Sequence, residues 1–183
     1  MSRKAKGIWN DNWSRNTVRG EITEYCKMHG ISEADFRFLG IYEWQNVYDQ
    51  VLTHFVKPDY AKRNGLYWAN INNGFQYPPE YIFVTGRDGY AGYEWLERLP
   101  EMVACGKVYL LLEDDSAKYW IAECSTVILH LIINDTEAGN GDYFIVDKKY
   151  DWLITENHHA IVQFIGTGLH VEKIMEICEP GKQ

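Results

Sequence analysis

Residues 142–166, with the sequence DYFIVDKKYDWLITENHHAIVQFIG, constrain the fold more than any other part of the chain. Two short runs rich in β-branched and aromatic residues, 143–146 and 160–165, flank a polar and aromatic stretch. Both runs predict strands, and a link of about a dozen residues is too long for a tight hairpin. Residues 150–153 predict one helical turn within this link, with the side chain of Trp152 folded back onto the sheet. We therefore expect Trp152 to be a largely buried structural residue.

The rest of the chain predicts helices first, and then strands with helices between them. The sequence predicts helices at 17–29, after Ser32 (carrying Phe36 inward), at 42–55, at 93–104 with a break at Pro100, and at 169–177. These predictions rest on apolar residues at helical spacing, on capping residues and on the positions of prolines. Short apolar runs predict strands at 81–84, 107–113 and 118–123, whereas the run 126–133 favours a helix and leaves a strand open. Together these elements predict an α+β fold, a mostly antiparallel sheet with helices packed on it and an N-terminal helical segment. We expect a single domain over residues 1–183, with a loose arm at 1–16, a helical segment at 17–56 and an α+β core at 80–178.

The chain is acidic, with a net charge of −8. Nucleic-acid binders carry dense basic patches, which this sequence lacks, so we expect no nucleic-acid partner. An acidic surface favours a basic protein partner and speeds the encounter with it, although the same charge can serve only to keep a protein in solution. Seven Trp, thirteen Tyr and seven Phe supply either an aromatic core or the anchors of an interface.

Sequence motifs for cofactor binding and for export are missing. The four cysteines are far apart and form no CxxC motif, which excludes a zinc ribbon and a thioredoxin-type site. No phosphate-binding loop, dinucleotide fingerprint or nucleophile elbow occurs, so we expect no cofactor. No apolar leader and no run of transmembrane length is present, so we expect a cytoplasmic protein with free thiols and no membrane partner.

The predicted partner-binding site centres on the tip of an expected hairpin, where three consecutive carboxylates follow a strand. Charged side chains at such a tip face solvent, where they attract a basic partner or form an ordinary solvated turn. Buried aromatic anchors would add affinity. The residues assigned to this site are Glu113, Asp114, Asp115, Tyr119, Trp120, Asp135, Glu137 and Tyr143.

Glu156, Asn157, His158 and His159 form the most chemically suggestive cluster in the sequence. One glutamate and two histidines could bind zinc, but in an extended segment consecutive imidazoles point to opposite faces, so we expect no metal. We interpret Glu156, Asn157 and His158 as structural residues that bond the turn, with one histidine packed beneath Trp152. An enzyme or a metal-binding protein that uses Glu156, His158 or His159 is the alternative.

The segments YFIV (143–146), KKYDWL (148–153) and ENHH (156–159) resemble a bacterial family of unknown function. The resemblance covers residues 107–166 and supplies no catalytic residues. By type, as a small, acidic α+β protein without catalytic motifs, the chain is similar to immunity proteins of contact-dependent and polymorphic toxin systems. That similarity implies a protein that binds one toxin domain, often a basic nuclease, and blocks it. We therefore predict a protein-binding module and no enzyme; a regulatory or scaffold domain without a toxin partner is a further alternative.

Overall fold

The computed structural model describes residues 17–113 and 119–182, in which an antiparallel sheet lies between two layers that contain helices. The α-helices are α1 (Thr17–His29), α2 (Ile41–Phe55), α3 (Pro58–Asn64), α4 (Leu99–Met102), α5 (Leu129–Asp135) and α6 (Val171–Cys178). The strands are β1 (Phe36–Phe38), β2 (Tyr81–Val84), β3 (Lys107–Glu113), β4 (Tyr119–Ser125), β5 (Tyr143–Asp147), β6 (Trp152–Glu156) and β7 (Ile161–Gly166). Short 3-10 helices occupy Tyr93–Leu96, Glu137–Asn140 and Pro180–Lys182. This architecture confirms the predicted α+β class.

The sheet has the strand order β1-β4-β3-β5-β6-β7-β2, and all neighbouring strands are antiparallel. Strand β3 lies inside the sheet, and Leu110 and Leu111 are both fully buried, on opposite faces. A strand covered on both faces has a nearly continuous apolar sequence, which is why the run 107–113 could be recognised before its neighbours were known.

Strands β5, β6 and β7 form a meander, so the prediction of a helical turn between two strands is wrong. Trp152–Glu156 is a strand that pairs with both of its neighbours. The turn before it is short because Tyr150 adopts a positive φ of 61°, a conformation that closes tight hairpin turns. Trp152 is 3% exposed, in agreement with its expected burial, but it packs from a strand.

The segment after α1 also differs from the prediction. Ser32 caps no helix, since its hydroxyl donates to the Asp35 carboxylate at 2.6 Å and the chain turns directly into β1. Phe36 then pairs with Cys124 of β4. The predicted helical segment 17–56 therefore contains an edge strand of the sheet. A strand of three residues has too few positions to show an alternating pattern. Its pairing partner also lies far away in the sequence, so no local signal predicts this strand.

The other helices agree with the sequence in position. In α2, Val47, Val51 and Phe55 are buried at the spacing of one helical face. The predicted helix 93–104 is broken at residues 97–98, between the 3-10 helix Tyr93–Leu96 and α4, and Pro100 lies in the first turn of α4, where proline is tolerated. The ambiguous run 126–133 contains the first part of α5, whereas its first three residues, 126–128, form a turn after β4.

Two hydrophobic cores lie on the two faces of the sheet. On one, which we call the α2 face, α2 and residues 56–75 cover side chains such as Leu111 and Phe144. On the other, the α5 face, α1, α4, α5 and α6 cover side chains such as Leu110 and Ile145. Alternate residues of each strand therefore reach opposite cores.

Candidate functional site at the Asp142 end of the sheet

Asp142 directly precedes β5 and is only 2% exposed. Its Oδ1 accepts the backbone N–H of His158 at 2.9 Å and lies 2.9 Å from the imidazole Nδ1 of the same residue. Its Oδ2 accepts the side-chain amide of Asn70 at 3.1 Å. A buried carboxylate is stable only when such donors replace its water shell. Asp142 therefore ties the segment after α3 to the turn between β6 and β7.

Asn70 is positioned by further hydrogen bonds. Its Nδ2 also donates to the Thr155 hydroxyl at 3.2 Å, and this hydroxyl donates to the Tyr143 carbonyl at 2.8 Å. The side-chain amide of Gln163 donates to the backbone carbonyl of Asn70 at 2.8 Å. The amide group of Asn70 is thus fixed against the end of the sheet.

Two polar atoms in this region have no hydrogen-bond partner within the described residues, namely Asn70 Oδ1 and the hydroxyl oxygen of Tyr119. Asn70 is 5% and Tyr119 is 3% exposed, so bulk water does not solvate them freely. Burial, and next the charge of Glu113 and that of Asp142, raise the pKa of Tyr119. An unsatisfied buried polar group costs about 1–3 kcal/mol, which makes these two atoms the least satisfied part of the site.

Glu113, the last residue of β3, joins this group. Its backbone N–H donates to the Asp142 carbonyl at 3.2 Å, which extends the β3–β5 ladder by one pair. Glu113 also pairs with Tyr119 across β3 and β4. Directly paired residues share a face, so Tyr119, Glu113 and Asp142 form a row on the α2 face. We call these three residues and Asn70 the Asp142 cluster.

The hairpin tip predicted to bind a partner is only partly accounted for. Asp114 and Asp115 lie outside the described residues. Glu113 is half-buried at the end of its strand. The sequence grouped Glu113 with its neighbours in the chain, whereas the structure groups it with Asp142, which is 29 positions away in the sequence.

Glu156 and Tyr143 form a separate buried polar pair on the α5 face. They are paired across β5 and β6, and the Tyr143 hydroxyl donates to Glu156 Oε2. The Thr85 hydroxyl donates to the other carboxylate oxygen at 3.1 Å. Glu156 therefore bonds two hydroxyl groups, whereas the sequence predicted bonds to the backbone of the turn.

The aromatic residues chosen as partner anchors differ in exposure. Tyr143 is 0% exposed and Tyr119 is 3% exposed, so the rings of both belong to the core and neither ring offers surface to a partner. The prediction for them fails because alternation along a strand assigns a face but does not show what covers that face. Trp120 is half-buried on the α5 face, where the Arg19 guanidinium lies 4.9 Å from its ring centroid.

Asn157 shapes the turn between β6 and β7, as predicted. Its side-chain Oδ1 accepts the backbone N–H groups of His159 at 3.0 Å and Ile161 at 3.2 Å. Ala160 has a positive φ of 60° and donates its N–H to the Asn157 carbonyl at 2.8 Å. This is a type I turn followed by a left-handed residue, a common connection in hairpins.

The same turn brings the two histidines together. The rings of His158 and His159 are 4.1 Å apart between centroids, so the expectation that they point to opposite faces is wrong, because the segment is a turn. His158 contacts Asp142, whereas one of the two histidines was expected beneath Trp152. Within the described residues, no group of three or more His, Cys, Asp or Glu side chains has an arrangement that could hold a metal ion.

Asp135 and Glu137, predicted as part of the partner site, meet α1 beside the start of β5. Glu21 of α1 accepts the backbone N–H of Glu137 at 3.1 Å, and Asp135 accepts the hydroxyl of Tyr25 at 2.8 Å. Burial raises the pKa of Glu21, the hydrogen bond from Glu137 opposes this rise, and the charge of Glu137 adds to it. We call Glu21, Asp135 and Glu137 the acidic corner.

Cys105 is half-buried and forms no disulfide. Burial, and then the charge of Asp147, raise the pKa of its thiol to about 11. A catalytic cysteine needs the opposite shift, so the structure gives this thiol no activation.

The family model of a family of unknown function, DUF6756, matches residues 14–177. The chain belongs to this family. The match extends the resemblance found at residues 107–166 to most of the chain, including helix α1 and the segment that carries Asn70. Comparisons with curated proteins and with solved structures gave no match. None of the described helices has the length and apolar character needed to cross a membrane.

Sequence reasoning missed three members of these sites: Asn70, Asp142 and Glu21. Asn70 stands in an irregular stretch with three other polar or glycine positions around it, which looks like a loop. Asp142 was read only as the start of the motif, although a single acid beside a buried strand is a signal of a bonded carboxylate. Glu21 lies 114 positions before Asp135, and no local pattern could connect them.

Proposed function

We propose that this protein is a binding module for a basic protein, and that it acts as an immunity protein that neutralises a cognate toxin domain. The observation that carries the proposal is the acidic corner. Asp135 and Glu137 are exposed, Glu21 lies beside them, and within residues 17–113 and 119–182 no lysine or arginine forms an ion pair with any of the three.

Gathering like charges without a counterion opposes folding, because each charge raises the cost of ionising its neighbours. The pKa of Glu21 is raised first by burial, and the nearby charge of Glu137 adds to this. A basic partner would supply the missing positive charge. Such complementarity acts mainly on the association rate and on the choice of partner.

The acidic corner and the Asp142 cluster lie at the same end of the sheet. The 3-10 helix Glu137–Asn140 leads directly into Asp142, and Gly141 lies beside the Glu113 carbonyl. A partner that covers this end would meet the exposed charges of the corner first. The more buried carboxylates of the cluster would then lie behind them.

The test is the association kinetics of the purified protein with the products of the genes that neighbour its own. The double variant Asp135→Lys with Glu137→Lys should slow association roughly tenfold at low ionic strength and change dissociation less. The matched control is Asp59→Lys, because Asp59 is an exposed acid on α3, away from the corner. An association rate of the wild type that does not depend on salt would contradict the electrostatic argument, and a lack of binding to every neighbouring product would contradict the immunity function.

A second candidate function is an enzyme that uses His158 as a general base. The observation that favours it is the contact of the imidazole Nδ1 with buried Asp142, because a carboxylate in this position orients a catalytic histidine. The variant His158→Gln separates the two functions. An immunity protein should keep its association rate and its protection against the toxin in this variant, whereas an enzyme should lose turnover.

A further inference from the structure

The Asp142 cluster contains buried acceptors in a fixed arrangement. Asn70 Oδ1 belongs to the same amide group that donates to Asp142. It has no partner within the described residues, and Asn70 is 5% exposed. The Tyr119 hydroxyl, also without a described partner, belongs to the row that contains the carboxylates of Glu113 and Asp142. Folding does not account for the hydroxyl of Tyr119, because a phenylalanine at this position would avoid the cost of an unpaired group.

The chemistry of these atoms selects the kind of group that could satisfy them. Asn70 Oδ1 and both carboxylates accept hydrogen bonds, and the Tyr119 hydroxyl can accept one as well. A ligand with acceptors of its own would leave unpaired atoms in such a place, whereas a group that only donates would not. Phosphates and carboxylates are therefore excluded by repulsion from Glu113 and Asp142.

Among cationic groups, guanidinium fits better than ammonium. It is planar, carries five donors in a fixed fork and is more weakly hydrated, so it costs less to bury. Aromatic rings, on which guanidinium stacks, lie close by: Tyr119 contacts Tyr48 with centroids 6.1 Å apart, and Tyr67 stacks on Trp68 at 4.7 Å in the segment that carries Asn70. An ammonium group is not planar, so it stacks on such rings less well than guanidinium does.

We propose that the Asp142 cluster is a guanidinium-binding site that receives an arginine side chain of the basic protein partner. In this site Asn70 Oδ1 and the Tyr119 hydroxyl accept N–H groups of the arginine, and the carboxylates of Glu113 and Asp142 balance its charge. The inference rests on the proposed function for the source of the guanidinium. The site itself can be tested without a partner.

The first experiment is a titration with methylguanidinium chloride, with methylammonium chloride and sodium chloride at equal ionic strength as comparisons. It is followed by NMR at the side-chain amide of Asn70 and the backbone amides of Glu113 and Asp142. We expect saturable shifts with methylguanidinium only. No saturable shift, or equal shifts with all three salts, would overturn the proposal.

Tyr119→Phe separates a binding role from a packing role. The substitution removes a hydroxyl that has no described partner and keeps the ring, so the melting temperature should stay the same or rise. Methylguanidinium should nevertheless bind about fivefold more weakly, which is the effect of one lost hydrogen bond. The matched control is Tyr109→Phe, a half-buried tyrosine on the same face near the other end of β3, which should leave the titration unchanged. Unchanged binding in Tyr119→Phe would overturn the assignment of its hydroxyl.

Glu113→Gln tests the same site at a half-buried position and keeps the size of the side chain. It should weaken methylguanidinium binding and leave methylammonium shifts as they are. A final titration uses the blocked tripeptide acetyl-Gly-Arg-Gly-amide. Shifts at Asn70 with this peptide support a protein arginine as the occupant, whereas shifts with methylguanidinium alone would overturn that source. Partner association that persists after the titrations fail would overturn the arginine site and leave the proposed function intact.

Discussion

The two ends of the α2 face stabilise their carboxylates in different ways. At one end, Glu123 on β4 receives three cations: Lys148 at 3.0 Å, Arg37 at 3.2 Å and Lys107 at 3.3 Å. At the other end, no lysine or arginine of the described ranges forms an ion pair with Asp142, and amide and imidazole groups hold this carboxylate. The Glu123 side chain is 14% exposed, against 1% for Asp142.

The ion pairs at the Glu123 end serve stability, whereas the Asp142 end is the one that could bind a cation. The cations around Glu123 remain partly exposed, with 38–45% of their side chains in solvent, so water screens these ion pairs. The charge at this end is already balanced and offers little to a partner. At the Asp142 end the carboxylate is desolvated, and two neighbouring acceptors are left without described partners. Binding a cation would therefore change more at the Asp142 end.

The largest expected effect is the loss of stability in Asp142→Ala. The substitution leaves the amide of Asn70 and the backbone N–H of His158 without their acceptor, and we expect the free energy of unfolding to fall by about 3 kcal/mol. Glu123→Ala should cost about 1 kcal/mol, because its partners return to water. Urea unfolding of both variants measures the difference.

A control within the same position tests the reason for that loss. Asp142→Asn keeps an oxygen that can accept the His158 N–H, so it should destabilise the protein less than Asp142→Ala does. Equal losses in Asp142→Ala and Glu123→Ala would show that the two ends do not differ in the proposed way.

A smaller effect is expected from pH at the Glu123 end. Burial tends to raise the pKa of Glu123, but the hydrogen bonds of Lys148 and Lys107 outweigh it, and the pKa is lowered. A lowered folded-state pKa contributes stability above the unfolded pKa, and this stability is lost as the pH falls through the folded pKa. The difference in stability between wild type and Glu123→Gln should therefore be up to about 1 kcal/mol at neutral pH and disappear in acid.

The measurement for this prediction is urea unfolding of both proteins at a series of pH values from neutral to acid. His158 and Asp142 are unchanged in Glu123→Gln, so their titration cancels in the difference. A difference that grows as the pH falls would contradict the lowered pKa of Glu123.

Local patterns in the sequence predicted the fold well where the burial of a single helix or strand determines its own pattern of apolar residues. The stripe of α2 and the apolar run of β3 each reflect burial within a single element, and both predictions are confirmed. Trp152 was correctly expected to be buried, but its element was wrong. Tyr150 in a left-handed conformation closes the turn before it, and a tyrosine gives no sign of a conformation that usually belongs to glycine.

The candidate site could be predicted only in part, because its members come from separate segments. Glu113, Asp135 and Glu137 were chosen for their charge, and the structure puts all three at one end of the sheet. Asn70 and Asp142 are joined by the hydrogen bond that connects the parts of the site. This bond depends on how residues 65–75 cover the sheet. The order of strands and their covering layers decide such contacts, and neither follows from local sequence.

The smallest expected effect concerns the turns at the two ends of β6, each of which holds a non-glycine residue at positive φ. Tyr150, at the Glu123 end, has φ 61°, and Ala160, at the Asp142 end, has φ 60°. Glycine adopts this conformation without steric cost, so Ala160→Gly should raise the free energy of unfolding by about 0.5 kcal/mol, since only a methyl group is lost. Tyr150→Gly should lower it, because the Tyr150 ring stacks on His54 at 5.2 Å and on Tyr109 at 6.0 Å. Urea unfolding of both variants gives the sign of each change. If Ala160→Gly were the more destabilising of the two variants, the methyl group of Ala160 would have to stabilise the turn at the Asp142 end. The small effect expected from losing this methyl group would then be wrong.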